Sequence, residues 1–160
     1  MAVKIKLKTN RKQVAKNFKR LAKKLPRIID KGLLQAGFHL LDIIRTKTGR
    51  GQDFKGNPFA SYSEGYLKRL QREGKKTAVD LFYSGRMLGA LTPGGRTVKR
   101  ISNNIVSVTF SNAEMRTRAL FNQVLNDPKR EFFGFNARTE NIIGKTFNRF
   151  VEKQIRATRI

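Results

Sequence analysis

The chain has no cysteine, which removes a disulfide framework, a thiolate metal site and a cysteine nucleophile together. Acids are scarce as well, eleven Asp and Glu against 35 Lys and Arg, for a formal charge of +24. Histidine occurs once, as His39 between Phe38 and Leu40, with no second imidazole to share a metal. A packed, hydrogen-bonded side chain is the expectation there, rather than a ligand or general base. No run approaches the roughly 18 apolar residues of a membrane span. The opening "MAVKIKLKTNRKQ" carries charges where a secretory signal needs an apolar core. A soluble, cytoplasmic chain with no membrane partner is expected.

What is present suffices for one folded domain over residues 1–160, with a 39% hydrophobic fraction and twelve phenylalanines. The charge is uneven. Residues 1–27 hold Lys4, Lys6, Lys8, Arg11, Lys12, Lys16, Lys19, Arg20, Lys23, Lys24 and Arg27 and no acid. An excess of this kind repels itself and is suited to an anionic partner, DNA or an acidic protein face.

The period of the pattern changes along the chain. "VKIKLK" alternates apolar and basic residues and predicts a basic strand. From about Asn10 to Leu25, Val14, Phe18, Leu21 and Leu25 share one helical face, and Lys12, Lys16, Lys19 and Lys23 lie nearly opposite. Strand and helix together make a basic N-terminal region of about 1–25, whose apolar face is expected to join the core. Pro26 fits the first turn of a second, largely apolar helix ending near Gly49. A glycine-rich loop follows at about 49–60. Ser61 with Glu64 forms a capping-box pattern for a short helix to about Arg72. Another short helix is expected after Ser84, closed by Pro93, Gly94 and Gly95. "TVKRI" and "IVSVTF", joined by Ser102, Asn103 and Asn104, predict a β-hairpin. After a stretch of no clear period, Ile143, Phe147, Phe150 and Val151 mark a terminal helix capped by Thr139 or Asn136. The class implied is α+β, a long core helix and a terminal helix packed on a small antiparallel sheet.

Catalytic patterns fail one by one. Gly144, Lys145 and Thr146 imitate a phosphate loop, but that motif needs glycine where Thr139 stands. Asp53, Glu73 and Lys75 loosely imitate a nuclease site, yet "REGKK" reads as a helix end running into a turn. Ser61, Ser63 and Ser84 have no base partner in view. The expectation is a noncatalytic protein that needs no cofactor or metal.

Several segments, in order, resemble the phage virion morphogenesis family, the tail-completion and head-tail joining proteins of Mu-like and related tailed phages. An apolar helix is followed by "GRGQDFKGNPFASYSEGYLKR", in which Gly56, Pro58, Phe59, Ser61, Tyr66 and Lys68 match the family's loop segment. "LFYSGRMLGAL" is similar to its Gly-Arg-Leu segment with Met87 at the leucine position, and "IVSVTFSN" follows as the expected strand. "DPKREFFGFNARTENI" looks like its late signature through Pro128, Arg130, Phe133, Gly134 and Glu140. The family usually has tryptophan where Phe59 stands, and its alanine and histidine-glycine region is reduced here to "ALFNQVLND"; residues 1–27 lie outside the likeness. The resemblance implies a structural virion protein at the phage neck or tail end, assembled in the host cytoplasm. Its partners would be further copies in a homo-oligomeric ring, a hexamer among the options, and neighbouring tail and head-connector proteins. Phe54, Gly56, Pro58, Phe59 and Tyr62 are then candidates for an assembly loop. Lys12, Lys16, Lys19 and Lys23 are candidates for an anionic contact. The alternative reading is a non-enzymatic nucleic-acid-binding protein.

Overall fold

The computed structural model describes residues 10–158 except 83 and 95; the strand expected at "VKIKLK" lies outside them. A 39-residue helix, α1 (Arg11–Gly49), runs straight through Pro26. The two helices read from the sequence are therefore one. An interior proline removes a backbone hydrogen bond and costs about 3 kcal/mol, yet the apolar stripe ignores it. Leu21, Leu25, Ile28 and Gly32 follow one another at helical spacing across the proline, and Pro26 falls on the exposed side. Burial of Ile28 and Gly32 against the rest of the chain favours continuing the helix.

The terminal helix α5 (Ala137–Ala157) lies antiparallel on the C-terminal part of α1. Lys47 reaches Thr139, His39 reaches Thr146, and a Cβ at Gly32 would meet Phe147 at 3.0 Å. Asn136 is its cap, the Oδ1 accepting from the Thr139 backbone N–H at 2.9 Å. Of the two candidate caps, then, the asparagine serves and Thr139 is its recipient.

Strands β1 (Val98–Ser102) and β2 (Ile105–Val108) form the expected antiparallel hairpin, with Asn104 at φ 61° in the turn. The hairpin seats on α1 where Gly37 leaves room. A Cβ there would stand 2.7 Å from Val98 Cγ1, and Arg100 pairs with Asp30 at 3.0 Å. Two short helices complete the expected set, α2 (Glu64–Arg72) and α3 (Arg86–Gly89). The cap of α2 is Ser63 and makes no side-chain hydrogen bond, so the Ser61–Glu64 box is not formed.

The stretch without clear period is helical too. Helix α4 (Ala113–Leu120) is capped by Asn112, whose Oδ1 accepts from Glu114 N–H, and it passes into one wide turn, Phe121–Leu125. That turn closes with Asn126 N–H on the Phe121 carbonyl, five residues back. The core gathers Leu41 and Ile44 of α1, Met87, Leu88 and Leu91, Val98, Met115 and Phe132. The half-buried Phe110 and Phe133 pack around the core's Phe132, with ring centroids 5.4–6.3 Å apart. The architecture is α+β, with two long helices and a small antiparallel sheet. No described helix is long and apolar enough to cross a membrane.

Candidate functional site

The first half of α1 stands clear of the core. Helix α5 ends at Ala157, about two turns beyond Phe150, which faces Gly32. In an antiparallel pair this leaves the residues before about Leu25 without α5 beside them. Every position from Arg11 to Arg20 is exposed except Asn17, which is half-buried. Lys12, Lys16, Lys19 and Lys23 are all exposed, as the helical phase predicts. The opposite face does not join the core as expected. Phe18 is 58% exposed and Val14 38%, because nothing described in the chain reaches them. Among the described residues nothing covers either face of this arm, the lysine one or the apolar one.

The glycine-rich loop is folded back on its own chain. Gln52 pairs with Pro58, Asp53 N–H donates to the Asn57 carbonyl, and Phe59 N–H donates to Gly51. The Asp53 carboxylate accepts from the backbone N–H groups of Gly56 and Asn57, which commits it to closing the loop. Gly56 takes φ 103°, a backbone region that side chains resist. The Phe54 ring lies against Gly134, and Phe54 N–H donates to the Glu131 carbonyl. Lys47 and Asn136 both donate to the Phe54 carbonyl. Phe59 packs against the core cluster, whereas Pro58 is exposed. The contacts seen at Phe54 and Phe59 are thus within the chain.

Tyr62 leads to a second feature. Its ring meets Tyr66 edge-on at 4.8 Å and lies under the Arg130 guanidinium at 4.9 Å. Arg130 is buried, 7% exposed, and one terminal nitrogen donates to the carbonyls of Ala60 and Ser61 at 3.3 and 3.1 Å. Its Nε is buried and has no hydrogen-bond partner among the described residues. The loop and the late "DPKREFF" segment, separate in the sequence, are therefore stitched together by Arg130 and by Phe54 on Glu131. Around this stitch opens a pocket of about 620 Å³. Its apolar wall includes Tyr66, Leu81, Met87 and Phe121, and its polar wall includes Arg118, Asn122 and Asn126. Leu81 holds φ 54°, an uncommon region for a residue with a side chain. Burial, and then the neighbouring Tyr66, raise the Tyr62 phenol above its ordinary value, with Arg130 pulling partly the other way.

No family model, curated protein or solved structure matches the chain.

Arg118, Asn122 and Asn126 were missed at the level of sequence because they sit on α4, the wide turn and the residue after it, where neither period held. A signal was present in Phe121, Val124 and Leu125, apolar residues that fit no buried stripe and are 46–58% exposed. His39 behaves as expected, its Nδ1 lying 2.7 Å from Thr146 Oγ1 across the α1–α5 contact. The Gly144–Thr146 triplet lies within α5. Glu73 lies 3.5 Å from Arg69 at the end of α2, and Asp53 belongs to the loop. Among the described residues no cluster of three His, Cys, Asp or Glu could hold a metal.

Proposed function

We propose that the chain is a noncatalytic assembly subunit, a structural virion protein that completes or terminates the tail of a tailed phage and joins it to the head through a homo-oligomeric ring. The observation that supports this most is the arm. An amphipathic helix whose apolar face no described residue covers gains little by standing in water, since burying the still exposed parts of Phe18 and Val14 would contribute about 1 kcal/mol each. A neighbouring copy supplies that burial. The geometry lets the lysine row stay outward while the apolar row docks, so like charge is not forced into the contact. The ordered likeness of residues 28 onward to the tail-completion family gives the kind of particle. The glycine-rich loop, held to its own chain through Phe54 and Phe59, offers Pro58 and its exposed rim to a neighbour.

The reading is tested by locating the chain in an intact particle, by labelling it and imaging the neck. Density at the head-tail junction is expected. A chain found only on DNA, and absent from finished particles, overturns the reading. One observation favours that second reading, a nucleic-acid-binding protein. Four exposed lysines lie in one row of a segment with no acid, and lysine rows bind phosphate without regard to base sequence.

A further inference from the structure

The pocket beside Arg130 is not explained by an arm or by a lysine row. We infer that it is a docking site for an acidic peptide segment of a partner protein, taking one carboxylate between Arg130 and Arg118 and an apolar neighbour against Tyr66 and Phe121. Three observations carry this. Arg130 lines the pocket, is 7% exposed and has carbonyls but no carboxylate beside its guanidinium among the described residues, and a buried charge without a counter-charge is costly, so a carboxylate entering beside it is rewarded. Arg118 lines the same pocket, and its guanidinium pairs with Glu114, half-exposed on the same helix. Such a surface pair holds weakly and exchanges readily for a better-placed carboxylate. Finally, exposed aromatic side chains lie at and beside the pocket. Phe121 and Phe82 are 49% and 56% exposed, and the Phe82 ring lies against Gly85, which lines the pocket.

A peptide carboxylate fits this better than a phosphate. The volume suits a ligand of several residues or a drug-sized molecule. Tyr62, Tyr66, Leu81, Met87, Phe121 and Pro128 give the wall a large apolar share, and Asp127 on the lining disfavours a dianion. Arginine guanidinium groups present planar donor pairs that match a carboxylate. The net charge of +24 draws acidic segments toward the chain at long range, while the pocket selects among them by shape. The inference does not depend on the virion reading, because it is tested on the free chain.

The probe is the peptide acetyl-Phe-Glu-Leu-amide against its Gln counterpart, titrated into the isotope-labelled chain by NMR at about 0.15 M salt, where surface charge is screened beyond about 8 Å. Shifts should concentrate on Ser84, Gly85 and Asn126, and the Gln peptide should bind at least about tenfold more weakly, the equivalent of about 1.4 kcal/mol. Arg118→Gln, a surface change that leaves the Arg130 stitch in place, should abolish that discrimination. A chain with Lys12, Lys16, Lys19 and Lys23 all changed to Gln should keep it. Equal binding of the two peptides, shifts confined to the arm, or discrimination lost only in the lysine variant would each overturn the inference. So would displacement of the peptide by inorganic phosphate at equal concentration, which would assign a phosphate-bearing ligand instead.

Discussion

Arg130 holds two parts of the chain that are far apart in sequence, and the groups stacked on it share its fate. Tyr62 keeps its phenolic proton to higher pH in the folded chain than in the unfolded one, first through burial and then through Tyr66. The stability this contributes is complete below the unfolded value near 10.0 and is lost as pH rises through the raised folded value. Tyr62→Phe should therefore lose less stability than the parent when urea unfolding is compared at pH 9 and pH 11; identical losses would show that the phenol is not held this way. Phe59 belongs to the same neighbourhood through the core it covers. Phe59→Ala should destabilise the free monomer by about 2–3 kcal/mol, somewhat below the range for a fully buried phenylalanine because its burial is partial. A melting temperature unchanged in the monomer, with assembly lost, would return Phe59 to the role of an intermolecular anchor.

At the scale of elements, two helical glycines separate packing from propensity. Gly37 lies under the hairpin, where a Cβ would come within 2.7 Å of the stiff and buried Val98, so Gly37→Ala should cost about 1–3 kcal/mol despite the gain in helix propensity. Gly144, inside α5 with nothing within 4 Å of a Cβ, should gain about 0.5–1 kcal/mol as alanine. Chemical denaturation of both variants decides; the same sign for the two would mean that the hairpin does not seat on Gly37. The hairpin and α5 were legible in the sequence because each carries one clean period and its own turn or cap residues. Pro26 misled because its local cost is real, while the stripe that outweighs it spans both sides and is recognised only by following Leu21 through Gly32. Phe18 was misplaced for a different reason. Periodicity shows that a face is apolar and says nothing of whether the same chain reaches far enough to cover it. The pocket was legible only as fragments, since Tyr62 and Arg130 lie in separate motifs and meet through the fold. For the arm itself, changing the four lysines to Gln should leave the unfolding free energy within about 0.5 kcal/mol of the parent, because all four are exposed and glutamine is a comparable helix former. If DNA is the partner, the log-log salt slope should fall by about one unit for each phosphate contact removed; no change in slope or in particle joining would make the row an ordinary solvated face.

For the whole molecule, the distribution of unfinished surface carries the account. Among the described residues, Arg130 Nε is the one buried side-chain nitrogen or oxygen without a hydrogen-bond partner. The exposed apolar groups include those on the α1 arm and those around the wide turn. The proposed assembly would cover the arm's apolar face, where Phe18 is more than half exposed, with a neighbouring copy. Sedimentation of the purified chain, beside a Val14→Ser/Phe18→Ser variant whose helical circular dichroism is first shown to match, tests this most directly. The parent should sediment as a defined multiple of 18.3 kDa at micromolar concentration and the variant as 18.3 kDa. A parent that stays at 18.3 kDa up to about 100 μM, or a variant that assembles as well as the parent, would contradict the claim that the arm is completed by a neighbouring copy.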